Sequence, residues 1–222
     1  MGVLSFSGFE IMNIREFVKG STYIDEQIEK RDFLNKLSKY DIIHLATHTF
    51  VDKKNPLQSK FYISNSDIKS EEEKAVYTWD ILPLNLKAKM AILSSCNTGV
   101  GELVEGEGIM SLARDFQFAG VPSVIMTLWE INDISTAEVM KSFYSELKNG
   151  SKIDEAFRTA NLEYLKNSIS KNSAPVFWAA SVPIGDMEKM NFNESYVEWI
   201  YLAVFSLLFF IWIFYRSFRK TT

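Results

Sequence analysis

The chain has 222 residues, 47% of them hydrophobic, enough for one well-filled domain with an appendage. A net charge of −4 leaves no large basic surface, which excludes nucleic acid as a main partner. One cysteine and two histidines exclude an internal disulfide and a multi-cysteine zinc centre, and neither a metal nor a cofactor is expected.

Met1–Phe9 is mildly apolar, short and without Lys or Arg, unlike a secretory leader. Phe9, Ile11, Ile14, Phe17 and Val18 recur near helical spacing and predict a short helix ending at Gly20. A second helix is expected within Ser21–Lys39. It would bury Ile24, Ile28, Phe33, Leu34 and Leu37 and leave Glu26, Glu29, Lys30 and Lys36 in water. In Asp41–Thr49 (DIIHLATHT), Ile42, Ile43 and Leu45 make a strand, and His48 falls at its C-terminal end. Asn55-Pro56 marks a turn. Ser59–Ser64 then reads as a short strand, Asn65–Lys74 as a mobile polar loop, and Thr78–Leu82 as a short helix that Pro83 disturbs.

The apolar run from Met90 to Leu93 ends in Ser94-Ser95-Cys96, and Asn97-Thr98-Gly99 break it at once. A buried strand bounded by turn residues has this pattern, with the chain's only cysteine at its C-terminal end. Glycines 99, 101, 106 and 108 lack the lysine of a phosphate-binding frame, and Glu102, Glu105 and Glu107 would repel an anion. The stretch is expected to be an active-site loop. A helix over Ile109–Ala119 stops at Gly120, and Ser123–Leu128 forms a further buried strand with Trp129–Asp133 as its exit. Ser135-x-x-Glu138 and Ser151-x-x-Asp154 open two helices as capping boxes, and Val176–Val182 is a final strand. Strands alternating with helices predict an α/β fold with a largely parallel sheet.

A polar linker at 186–195 leads into Tyr196–Tyr215 (YVEWIYLAVFSLLFFIWIFY), which has one charge, Glu198. At about 1.5 Å per residue its roughly 20 residues span about 30 Å, one bilayer core. Tyr196, Trp199 and Tyr201 at one end and Trp212 and Tyr215 at the other match interfacial belts, and Arg216, Arg219 and Lys220 follow. A buried core helix would keep a polar face, and this run has none. A single-pass transmembrane anchor is therefore expected over 196–215, with a basic tail at 216–222. The basic tail favours a domain outside the cytoplasm, whereas the lack of a leader favours the reverse.

The ends of two predicted strands carry the chemistry. Cys96 and His48 stand where open α/β sheets gather ligands and reacting groups. If the strands are parallel neighbours, both residues open onto one cleft, and a thiol beside an imidazole suffices for nucleophilic catalysis. Taken alone, each is more often a core residue, a packed thiol or a satisfied histidine. His44 lies two pleats before His48 on the same face and reads as a supporting histidine held by hydrogen bonds. The pair is too far apart along a strand to chelate one metal. Glu130 and Asp133 lie at the exit of the next strand, where an acid would select a basic residue before the cleaved bond. Asp133 serves equally well as a cap for the helix from Ser135.

Several segments occur in a telling order: His44–His48 (HLATH), Leu93–Gly99 (LSSCNTG), Gly106–Ile109 (GEGI), Ala119–Val124 (AGVPSV), Leu128-Trp129 with Asp133, Phe143-Tyr144, and Phe177–Ala180 (FWAA) before Ile184-Gly185. From about Ile11 to Gly185 the chain resembles the CHAT domain family, a caspase- and separase-related branch of the cysteine peptidases. The resemblance implies a caspase-like three-layer sandwich over residues 1–185, with a largely parallel central sheet and helices on both faces. It implies a His–Cys dyad, which here is His48 and Cys96, and helical regulatory repeats, often tetratricopeptide, as partners. Two positions depart from the pattern. Thr49 stands where the family commonly has Gly after the catalytic His; the oxyanion donor there is a backbone N–H, which Thr also owns, and the Cys96 N–H would join it. The family's first strand normally precedes the segment matching Leu4–Phe17, and little chain remains for it. The expected function is a membrane-anchored cysteine endopeptidase acting on protein substrates. The alternative is a catalytically silent caspase-like module that docks partners at a membrane.

Overall fold

Three mostly apolar runs of equal length, Ile42–Ala46, Met90–Ser94 and Ser123–Thr127, lie side by side as parallel strands. The computed structural model describes residues 10, 13–18, 20–21, 28–52, 54–63, 70–94, 107–129, 133–190, 204–206, 208–209 and 212, without the side chains of 107–111, 133 and 171. The chain divides into two compact units, Met1–Met190 and Asn191–Thr222. In chain order the first unit contains α1 (Lys30–Leu37), β1 (Ile42–Ala46), β2 (Thr49–Phe50), β3 (Lys60–Tyr62), α2 (Glu71–Lys74), β4 (Ala75–Tyr77), α3 (Thr78–Ile81), β5 (Met90–Ser94), α4 (Glu107–Phe118), β6 (Ser123–Thr127), α5 (Asp133–Lys148), α6 (Ile153–Asn167) and β7 (Ser181–Gly185).

The larger sheet has the order β1-β5-β6-β7. Its two central strands are almost wholly buried, as a sheet covered on both faces requires. Alternation along the strands sorts the side chains. Ile43, Ala91, Leu93, Val124 and Met126 join one core cluster with Leu37 of α1 and Leu112, Ala113 and Phe116 of α4. His44 is in register with Ile92, and Ile92 with Ile125, on the opposite face. There the His44 ring stacks on Tyr144 of α5, with centroids 5.9 Å apart. Helical residues therefore cover the sheet from both sides. The smaller sheet, β2-β3-β4, is antiparallel. Its Phe61 is buried and meets Phe33 edge-on at 5.9 Å, which ties this sheet to the α1–α4 side of the core. Gly120 ends α4 with φ +112°, and the Val121 N–H returns to the Phe116 carbonyl at 3.0 Å, closing the helix by a left-handed cap.

The structure corrects five local expectations. Ala75–Tyr77 is a strand that was not anticipated; three residues are too few for a period to show, and pairing with Lys60–Tyr62 creates the element. The end of the expected 65–74 loop is the helical turn α2, where the Ser70 hydroxyl accepts from the Glu73 N–H at 3.3 Å. Residues 65–69 of that loop lie outside the described residues. Helix α5 begins at Asp133, not at a cap on Ser135. Ser135 is buried inside it, 2.9 Å from the Tyr164 hydroxyl of α6, because contact between the two helices wins over the local cap. Helix α6 is flanked by Lys152 rather than Ser151, whose hydroxyl donates to Glu146 Oε2 at 3.2 Å. The last strand is Ser181–Gly185, not Val176–Val182, and it runs antiparallel to β6, while Pro175–Phe177 is a 3₁₀ turn.

Pro183 shows why that edge tolerates proline. The Leu128 N–H donates to the Ala180 carbonyl, and the Asp186 N–H to that of Pro122. Ser181, Pro183 and Gly185 are therefore the non-hydrogen-bonded positions of the ladder. The nitrogen of Pro183 faces away from β6, so its missing N–H removes no ladder bond.

In the second unit, Val204, Phe205, Ser206, Leu208, Phe209 and Trp212 are helical. Val204, Phe205, Leu208, Phe209 and Trp212 are exposed, and the Phe209 and Trp212 rings stack at 6.2 Å. Most of the expected anchor at 196–215 lies outside the described residues, and among the described residues no helix is long and apolar enough to cross a membrane.

Candidate functional site

Strands β1 and β5 leave the sheet at one edge, with Ala46 opposite Ser94. His48 follows Ala46 by two residues, and Cys96 follows Ser94 by two. The His48 backbone is clamped: its carbonyl accepts from the Tyr62 N–H at 3.0 Å, and the preceding Thr47 hydroxyl donates to the Tyr62 carbonyl. The imidazole Nδ1 of His48 is shielded from solvent. Tyr62 itself is anchored at its far end, where its phenol donates to Glu71 Oε1 at 2.7 Å beside the Lys60 ammonium. Burial and the Glu71 bond both hold the Tyr62 phenol above its ordinary range.

Thr49 is buried and opposite Phe61. The Tyr62-to-His48 bond makes this a non-hydrogen-bonded pair, so the Thr49 N–H points away from β3. Cys96 and Glu130 lie outside the described residues, and Asp133 opens α5 with its side chain likewise outside them.

His44 occupies the middle of β1 and is held at both ring nitrogens. Nδ1 lies 3.1 Å from the Tyr144 hydroxyl, and Nε2 lies 3.1 Å from Glu10 Oε1. The other Glu10 oxygen is 3.5 Å from the Ser94 hydroxyl. Burial pushes the Tyr144 phenol far above its ordinary range, and the charge of Glu10 acts in the same direction. Tyr144 is therefore a neutral phenol. A carboxylate only accepts, so Nε2–H donates to Glu10; in the neutral imidazole Nδ1 then accepts from Tyr144.

The sequence reading does not single out Glu10. A signal for it exists: it is an acid four residues before Ile14, on the apolar side of a helical pattern, and Ile14 is buried. Tyr144 enters that reading only in the Phe143-Tyr144 pair that carries the family resemblance. Nothing local marks its partner, which is 100 residues away.

The CHAT domain model matches residues 4–186 of this chain. The mouse (Mus musculus) protein described as Tetratricopeptide repeat protein 28 is 31% identical over 134 residues, and the human (Homo sapiens) protein of the same description is 30% identical over 134. Each match covers 60% of this chain and 5% of the relative, so the chain spans about one-twentieth of the length of these curated relatives.

Proposed function

We propose, from the premise that this chain belongs to the CHAT domain family of caspase-like proteins, that it is a membrane-anchored cysteine endopeptidase working through His48 and Cys96. The observation that supports this most is the parallel register of Ala46 with Ser94. Each proposed catalytic residue follows the end of its strand by two positions. The sheet's C-terminal edge is also where this class of fold places its chemistry.

A free thiol of pKa about 8.5 is mostly protonated at neutral pH, and an adjacent imidazole favours the thiolate. The Cys96 sulfur attacks a peptide carbonyl carbon. The C–S bond forms as the carbonyl π electrons move onto oxygen. The Thr49 and Cys96 N–H groups stabilise that oxyanion, each worth about 3–4 kcal/mol where such donors have been removed. His48 delivers its proton to the leaving nitrogen as the C–N bond breaks. It then takes a proton from water, which cleaves the thioester and releases the thiolate. The outward N–H of Thr49 suits this role, and a threonine supplies it as well as a glycine. His44 supports β1 from behind. Glu130 and Asp133 are assigned to selecting a basic side chain before the cleaved bond; preference for an acidic or apolar residue in a peptide panel removes that assignment.

The run at 196–215 serves as the single-pass anchor, consistent with exposed apolar side chains at helical positions 204, 205, 208, 209 and 212. The proposed location is therefore a membrane, and a chain ending at Met190 should leave the membrane fraction. The relatives' description makes tetratricopeptide-type repeats the proposed regulatory partner class.

The deciding experiment is Cys96→Ala. It should abolish cleavage of protein substrates while the melting temperature stays near that of the parent, and a thiol-reactive peptide electrophile should label Cys96 in the folded parent chain. A folded protein whose Cys96 ignores that electrophile overturns the peptidase reading and leaves the docking module.

A further inference from the structure

A buried carboxylate is a costly side chain. Removing it from water costs several kcal/mol, and a leucine would fill the same space without that cost. Glu10 is such a group: its side chain is 6% exposed, and its partners come from two different strands. Oε1 takes the Nε2–H of His44 on β1, and Oε2 faces the Ser94 hydroxyl on β5. The two contacts straddle the pair of strands that lead to His48 and Cys96. On the far side, Tyr144 of α5 completes the chain by donating to His44.

We infer that Glu10 is a positioning residue for the His48–Cys96 dyad. It touches neither reacting atom. It ties the exit of β5 to β1 from the N-terminal segment, so that the two strand ends deliver sulfur and imidazole at a set separation. The inference rests on the peptidase reading above. Reaction between positioned groups needs an approach of about 3–3.5 Å, and a misplacement of about 1 Å costs up to about 100-fold in rate. Tethering the strand ends is thus a kinetic contribution that stability need not reveal. Ser94 is the informative partner, because its contact with Glu10 is long and its loss should hardly affect folding.

The test uses the full chain and a peptide electrophile that alkylates Cys96. Ser94→Ala removes the hydroxyl and with it the β5 arm of the tether. Glu10→Gln keeps shape, can still accept from His44, and can donate its amide N–H to the Ser94 hydroxyl, so it keeps both arms and removes only the charge. Ser94→Ala should lower the maximal labelling rate about 10- to 100-fold, with the half-saturating concentration and the melting temperature close to the parent's, while Glu10→Gln stays close to the parent. The double variant should react like Ser94→Ala, because the amide then has no hydroxyl to meet. A parent-like rate in Ser94→Ala, a double variant slower than Ser94→Ala, or a loss that follows a fall in melting temperature each overturn the inference. Should Glu10→Gln not fold, Ser94→Ala decides alone. A parent Cys96 that does not react at all removes the peptidase reading and this inference together; a reactive parent with an equally reactive Ser94→Ala removes only the inference.

Discussion

His44 and Tyr144 are 100 residues apart in the chain, yet Nδ1 and the phenol oxygen meet at 3.1 Å and the rings stack at 21°. The contact joins β1 to α5 beneath the surface, where Tyr144 is fully buried. Tyr144→Phe keeps the ring and removes the donor, leaving an imidazole nitrogen buried and unmet. The expected loss is about 1–3 kcal/mol in urea unfolding, below the roughly 3–5 kcal/mol of deleting an aromatic ring from a core. A parent-like midpoint for Tyr144→Phe contradicts this account of the network.

Two glycines stand against backbone. At Gly185 φ is +91°, and a Cβ would fall 2.1 Å from the Pro122 carbonyl oxygen. At Gly120 φ is +112°, with the Leu86 carbonyl oxygen 2.8 Å away. Gly150 has φ +88° but open space around it. Alanine should cost about 1 kcal/mol at position 150 from backbone strain alone, and about 2–4 kcal/mol at 120 and 185, where the chain must also move. Chemical denaturation of the three variants checks the order, and equal losses would remove the close-approach argument.

Asp115 gives a pH signature. Burial pushes its carboxyl above the ordinary value of 3.8, against the opposing pull of Thr78 and Arg114. Its Oδ2 is shielded from solvent, with no hydrogen-bond partner among the described residues. The charged form is thus the disfavoured one in the fold. Its burden is absent below the ordinary carboxylate range and sets in as pH rises through the raised value. Asp115→Asn should flatten that decline and raise the melting temperature at pH 7 by about 1–3 °C, an effect kept small because the site is half open to water. Melting curves from pH 3 to pH 8 decide it; an unchanged slope tells against the burial effect.

Proline tests the ladder of β7. Pro183→Ala restores an N–H that faces away from β6, so stability should shift by less than about 1 kcal/mol. Val182→Pro removes a bond from the position paired with Met126 and should cost about 3 kcal/mol or more. The reverse order would mean that the strand is out of the described register.

Most secondary structure was open to reading because each element carries its own period. Phe33, Leu34 and Leu37 recur at helical spacing, and Met90–Leu93 and Val124–Met126 are apolar throughout, as strands covered on both faces must be. Signals spanning only three or four residues misled. The serines at 135 and 151 offered local caps, but Ser135 is taken by Tyr164 of the neighbouring helix and Ser151 by Glu146 five residues before it. Ala75–Tyr77 had no readable period at all.

The amino-acid order by itself determined the alternation of strands and helices and the family, since these depend on residue type and local spacing. Only the tertiary structure decided that β1 and β5 are in register at Ala46 and Ser94, that β7 reverses direction, and that Glu10 and Tyr144 hold His44 between them. Those facts depend on which distant segments share a face, and no local pattern encodes a partner that arrives from a hundred residues away.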